Sequence, residues 1–251
     1  MPVAEPSLRD EYAAAAERVA GRALEALRGL GGAVVPATPL PRAELAAVRV
    51  LGPDVFAPWL LSGTGEPCEP AVLETAADAR VVFPAGVPNG AADQGTSALA
   101  WSDWAVALLL ARARGPGTGE ADAPAGTRRR GAAPAPPEPN GPPYRGRWHP
   151  WSLRMAHLAP LALPVLDGPV HDAARRDALA LARGAVRATL RRDHRTAARL
   201  ARWLAWLAHT GAPCPVEPEP LLSALALTGD GSARTHLHLA IARRLSTGRR
   251  P

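Results

Sequence analysis

Lysine is absent from this chain, isoleucine occurs once at Ile241, and phenylalanine and tyrosine contribute two residues each. Strand formers of the β-branched and aromatic kinds are therefore scarce. Ala, Leu, Arg and Glu, all good helix formers, take their place, which argues against a sheet and for helices. The missing lysine also disposes of one motif. "LTGDGSART" (227–235) looks like a glycine loop, but it has no Lys and no strand before it, so it is no phosphate-binding P-loop. Loss of Lys and Ile together is what the codon preference of a GC-rich genome produces, which points to a bacterial source and explains the arginine bias without a functional demand.

Cysteine is nearly absent too. Cys68 and Cys214 are the whole supply, too few for a disulfide framework, and neither has a CxxC partner. No HExxH pattern occurs, and His236 and His238 in "THLHL" sit two apart, on different faces of a helix, so no metal or cofactor is expected. There is no GxSxG elbow and no dinucleotide fingerprint. Residues 1–20 lack the basic-then-apolar pattern of a signal peptide, and the longest apolar run, "WAVALLLA" (104–111), is too short to span a bilayer. These absences lead us to expect a cytoplasmic protein without membrane contact.

What is present is punctuation and charge. Residues 115–146, "GPGTGEADAPAGTRRRGAAPAPPEPNGPPYRG", hold almost no large apolar side chain and read as a disordered linker. They separate an N-terminal half, 1–114, from a C-terminal half, 147–251. The first carries 9 Arg against 13 Asp and Glu, net −4; the linker carries 4 against 3, net +1; the last carries 16 against 7, net +9. Each half reads as a string of helices. Ser7 caps one over about 8–28, with Asp10 at the capping-box position and Gly29 past its end. Others are expected over 41–51, 70–79, 96–114, 171–192, 194–209, 220–228 and 232–247. "RWHPWSLRMAHLAPLALPVL" (147–166) resists assignment because Pro150, Pro160 and Pro164 interrupt it.

The pattern Thr-Gly-x-Pro-Cys occurs twice, at Thr64–Cys68 and Thr210–Cys214, 146 positions apart. It suits a helix stop: Gly for a left-handed cap, Pro to bar continuation, Cys as a small apolar plug. The expected architecture is all-α, with two helical halves consistent with an internal duplication.

The strongest functional signal lies between His171 and Thr210. Leu179, Ala182, Val186, Leu190, Ala197, Leu200, Leu204 and Leu207 follow three- and four-residue steps and should form one apolar stripe. Arg176, Arg183, Arg187, Arg191, Arg195 and Arg202 should lie largely opposite, as a face for an anionic partner. Asp193 either caps a second helix, making a hairpin, or marks a polar step in one long helix. Trp148 and Trp151, beside Arg147 and Arg154, are candidate partner-anchoring aromatics, although tryptophans next to prolines more often anchor a chain entry onto a core.

Three function classes follow. The first is a non-enzymatic interaction module, an adaptor or regulatory protein that binds another protein. The second is a nucleic-acid-binding protein using the arginine face, which the chain's own acidic half would instead neutralise if it docked there. The third, an enzyme with a site assembled from His171, Asp172 and His209, has the least support, since acids at a helix start complement the helix dipole.

Overall fold

The computed structural model describes residues 7–36, 40–84, 94–115, 135–137 and 147–248, with side chains omitted at 94–97. The expected linker lies almost wholly outside the described residues. Among the described residues every regular element is helical. Chain order runs α1 (Leu8–Arg28), α2 (Arg42–Leu51), a 3-10 segment (Gly52–Phe56), α3 (Ala57–Leu61), α4 (Pro70–Val82) and α5 (Gln94–Arg114). After the linker come α6 (Trp148–His157), a 3-10 turn (Ala159–Leu161), α7 (Pro169–Arg176), α8 (Ala178–Leu190), α9 (His194–His209), α10 (Pro218–Thr228) and α11 (Ala233–Thr247).

The caps act as their chemistry requires. The Ser7 hydroxyl accepts from Asp10 N, and Gly29 closes α1 in the left-handed conformation. Asp193 Oδ1 accepts from Thr196 N at 3.1 Å, and Arg192 just before it takes a positive φ of 57°. The stretch 178–209 is therefore a hairpin of α8 and α9. The segment 147–166 differs from expectation: Trp148–His157 is a helix despite Pro150. The proline is the third residue of the first turn, where backbone N–H groups have no intrahelical partner to lose.

Two matching separations set the layout. Arg202 reaches His238 and His209 reaches Leu245, both across 36 positions, so α9 and α11 lie side by side in the same direction and in level register. Arg234 reaches Glu17 and Arg244 reaches Leu27, both across 217 positions, so α1 lies parallel to α11 as well. A single apolar cluster results. It joins Val19 and Leu24 of α1 and Trp101 of α5 to Trp203, Trp206 and Ile241 of the C-terminal segment. No helix among the described residues is long and apolar enough to cross a membrane.

Candidate functional site

Helix α8 packs with small residues. Ala178, Leu181, Gly184, Ala185 and Ala188 are buried. At Gly184 a Cβ would stand 2.6 Å from Ser152 Cβ of α6 and 3.0 Å from Leu200 Cδ1 of α9. Both neighbours approach so closely that the bulkier residues of the expected stripe are left outside. Leu179 is 53% exposed, Val186 45% and Leu190 80%. This corrects the sequence reading: in α8 these side chains do not face the core, and only Ala182 of that set is buried there. The stripe holds in α9, where Ala197, Leu200, Leu204 and Leu207 are fully buried.

The displaced stripe lines a groove of about 460 Å³ with Trp148, Val216 and the arginines Arg183, Arg187 and Arg191. Apolar floor and basic rim thus share one opening instead of occupying opposite sides. Among the described residues none of these three arginines makes an ion pair, and Nε of the half-buried Arg187 has no hydrogen-bond partner. Trp148 sits half-buried at the groove. Trp151 is part of the core and anchors α6.

The remaining expected arginines go elsewhere. Arg176 is exposed and lies 3.6 Å from Asp177. Arg195 is exposed at the start of α9. Arg202 is fully buried, so it does not belong to any surface face. Its Nη1 donates to Asp54 Oδ1 at 2.6 Å, Nη2 to Pro160 O at 3.1 Å, and Nε to Ala162 O at 3.2 Å; His238 Nδ1 stands 3.1 Å from Nη1. Burial and the neighbouring guanidiniums push the His238 imidazole well below its usual range, so it is neutral and can accept. Burial pushes the Asp54 carboxyl up, against the pull of Arg202. Of the six expected arginines, Arg202 is the one bonded to the N-terminal half among the described residues.

The sequence reading missed Asp54, Arg199, Glu17 and Arg234, and weighed His238 only as a metal ligand. The signal was available in part. Arg195, Arg199 and Arg202 share one face at helical spacing, as do Arg234 and His238. That these two faces meet depends on the parallel register of α9 and α11, which no local pattern specifies.

Candidate catalytic groups are separately engaged. His171 is fully buried between Trp203 and Trp206, with Nε2 2.9 Å from Leu161 O, and burial holds it below its ordinary pKa. Asp172 pairs with Arg175 at the surface. His209 Nδ1 lies 3.1 Å from Leu245 O. Cys68 is buried, and burial pushes its thiol up to about 11; Cys214 Sγ donates to Val216 O at 3.0 Å. Both are free thiols. Among the described residues no group of three potential metal ligands occurs. No protein family, curated protein or solved structure matches the chain.

Proposed function

We propose that this protein is a non-enzymatic interaction module that receives an acidic amphipathic helix of another protein in the α8 groove. The observation that carries the reading is the mixed lining: Leu179, Val186, Leu190 and Trp148 offer an apolar floor, and Arg183, Arg187 and Arg191 border it at four-residue spacing. Leu179 to Arg191 spans roughly 18 Å at the helical rise, three turns of a partner helix. Such a helix would set apolar anchors at i, i+3 and i+7 on the floor and its carboxylates against the arginines. An exposed apolar strip of this kind is functional more often than incidental. It also favours a protein over nucleic acid, whose phosphates need the arginines but gain nothing from Leu190.

The test uses two synthetic 18-residue helical peptides of equal hydrophobicity, one built on Leu and Glu, the other on Leu and Lys. Fluorescence anisotropy should show the acidic peptide binding and the basic one not. Leu190→Asp and Val186→Asp should each weaken the acidic peptide by tenfold or more. Salt-sensitive binding of random duplex DNA that survives Leu190→Asp and fails with Arg187→Ala would replace this reading with the nucleic-acid one.

The internal duplication is part of the same proposal. Gly65 and Gly211 both take left-handed conformations, and both motifs lead into helices with an early proline, Pro70 in α4 and Pro218 in α10. Packing matches in part: α1 on α2, α2 on α4 and α4 on α5 answer to α8 on α9, α9 on α10 and α10 on α11, whereas the close pairing of α9 with α11 has no counterpart between α2 and α5 among the described residues. The matching features support descent of two helical halves from one unit, joined by residues 115–146.

A further inference from the structure

Arg199 is a half-buried cation without an ion pair among the described residues. It lies on α9 one turn from Arg195 and almost one from Arg202. Its Nε is buried without a hydrogen-bond partner, and among the described residues no carboxylate or carbonyl pairs with its guanidinium. Arg187 shares that orphaned Nε, but the buried arginines Arg202 and Arg49 are satisfied. Arg202 has Asp54 and two carbonyls, and Arg49 donates to Phe83 O and to Asp103, both at 2.8 Å. Burying even one guanidinium nitrogen without an acceptor is costly, while the outer nitrogens of Arg199 stay open to a ligand.

The carboxylates around it are committed to other donors. Asp54 holds Arg202 at 2.6 Å, and Glu17 holds Arg234 at 2.6 Å. Asp193 caps α9 through Thr196 N, and Asp230 accepts from Ser232 N at 3.1 Å and Thr235 Oγ1 at 3.3 Å. The facing cations are Arg195 from the same helix, Arg234 from α11 and His157 from the end of α6. Repulsion from Arg195 and Arg234 adds to burial in pushing the Arg199 guanidinium down to about 10. Burial, with Arg199 and Arg195, lowers His157. Exposed Arg195 and His157 stand at the outside, Arg199 stands behind them, and Arg202 is in the core.

We infer that Arg195, Arg199 and His157 form a binding site for a small phosphate-type oxyanion, with Arg199 as the inner donor and Arg234 at its side. The guanidinium fork suits bidentate contact with two oxygens of such an anion, and Arg195 can close over a third. This site is separate from the α8 groove. Its occupant is identified by chemistry alone: a compact tetrahedral anion, free or as the head of a larger phosphomonoester.

The experiment is thermal unfolding and calorimetric titration of the full chain with inorganic phosphate, against sodium chloride of equal ionic strength. Phosphate should raise the melting temperature saturably and give a titratable heat. Arg199→Met should melt no lower than the parent, because an unpaired cation is removed, and should lose the phosphate response, with affinity down at least tenfold. Arg195→Gln, an exposed position that cannot unfold the protein, should weaken phosphate several-fold. Arg187→Ala in the groove should leave it unchanged. Phenyl phosphate binding as tightly as inorganic phosphate assigns the site to phosphomonoesters, and much weaker binding assigns it to the free ion. A wild-type response no greater than that to chloride, or an equal response in Arg199→Met, overturns the proposal.

Discussion

Two consecutive helices carry arginines at helical spacing, every four residues in one and four then three in the other, and their fates are opposite. Arg183, Arg187 and Arg191 on α8 border an open groove, whereas Arg195, Arg199 and Arg202 on α9 run from the surface into the core. The helices differ in what flanks them. Helix α8 is covered by α6 and α9 and leaves one edge to solvent. Helix α9 is enclosed by α8, α10, α11 and the 3-10 turn at Ala159–Leu161. Exposed arginines such as Arg183 and Arg191 keep their hydration, while an enclosed one on α9 must find protein partners or give up the hydrogen bonds water provided. Arg202 finds them and Arg199 does not. Arginine at helical spacing thus yields a rim in one helix and a polar core in the next.

The largest effect should come from breaking the inner row. Asp54→Ala leaves Arg202 buried and unpaired, and urea denaturation should show a loss of about 3–5 kcal/mol. The double variant Asp54→Leu with Arg202→Met, which removes both charges, should recover most of it. If Asp54→Ala costs no more than a surface substitution, the contrast between the helices is empty.

Acidification should act on the enclosed side next. His238 beside Arg202 and His171 between the tryptophans both have lowered pKa values and are neutral in the fold. Below the ordinary histidine value of 6.5 the unfolded chain takes up protons that the folded one refuses. Stability is thus complete above 6.5 and falls as pH drops, by up to about 1.4 kcal/mol per unit for each histidine. Asp54, shifted up by burial, works in the opposite sense nearer the carboxylate range. Denaturation at pH 7.5 and 5.5 should show the fall, and His171→Phe should lessen it. A flat profile would mean that neither ring is sealed from water.

Gly184→Ala probes why α8 exposes its larger side chains. Alanine improves intrinsic helix stability by about 1 kcal/mol. The added methyl meets Ser152 and Leu200 nonetheless, and overpacking should leave a net loss of about 1–3 kcal/mol. A net gain would show that α6 and α9 do not press on this face. The smallest effects belong to the open row: Arg183→Ala and Arg191→Ala should each shift stability within about 0.5 kcal/mol while weakening the acidic peptide.

The cap at Ser7, the stop at Gly29 and the turns at Cys68 and Cys214 were legible because each is a matter of a few adjacent residues, whereas Asp193 stayed open between a cap and a polar step. The apolar stripe of α9 was legible because that helix is enclosed. The stripe of α8 was misread by a rule that ranks side chains by hydrophobicity. At Gly184 and Ala185 it is smallness, and the close approach of α6 and α9, that decides what is buried. Arg199 drew no notice among neighbouring arginines, since nothing local separates an arginine that will be satisfied from one that will not.

The sequence by itself determined helicity, the start and stop of α1 at Ser7 and Gly29, and the surplus of positive charge after residue 146, but not the break at Asp177 that divides the expected helix 171–192 into α7 and α8. What it determined follows from backbone propensity, capping chemistry and composition, which act within a few residues or do not depend on arrangement. The tertiary structure alone decided that α9 and α11 lie parallel and level, that Arg202 meets Asp54 across 148 positions, and that Leu179, Val186 and Leu190 face outward. Those outcomes depend on which surfaces fit against each other at van der Waals distance, and that fit is a property of the assembled packing and not of any one helix.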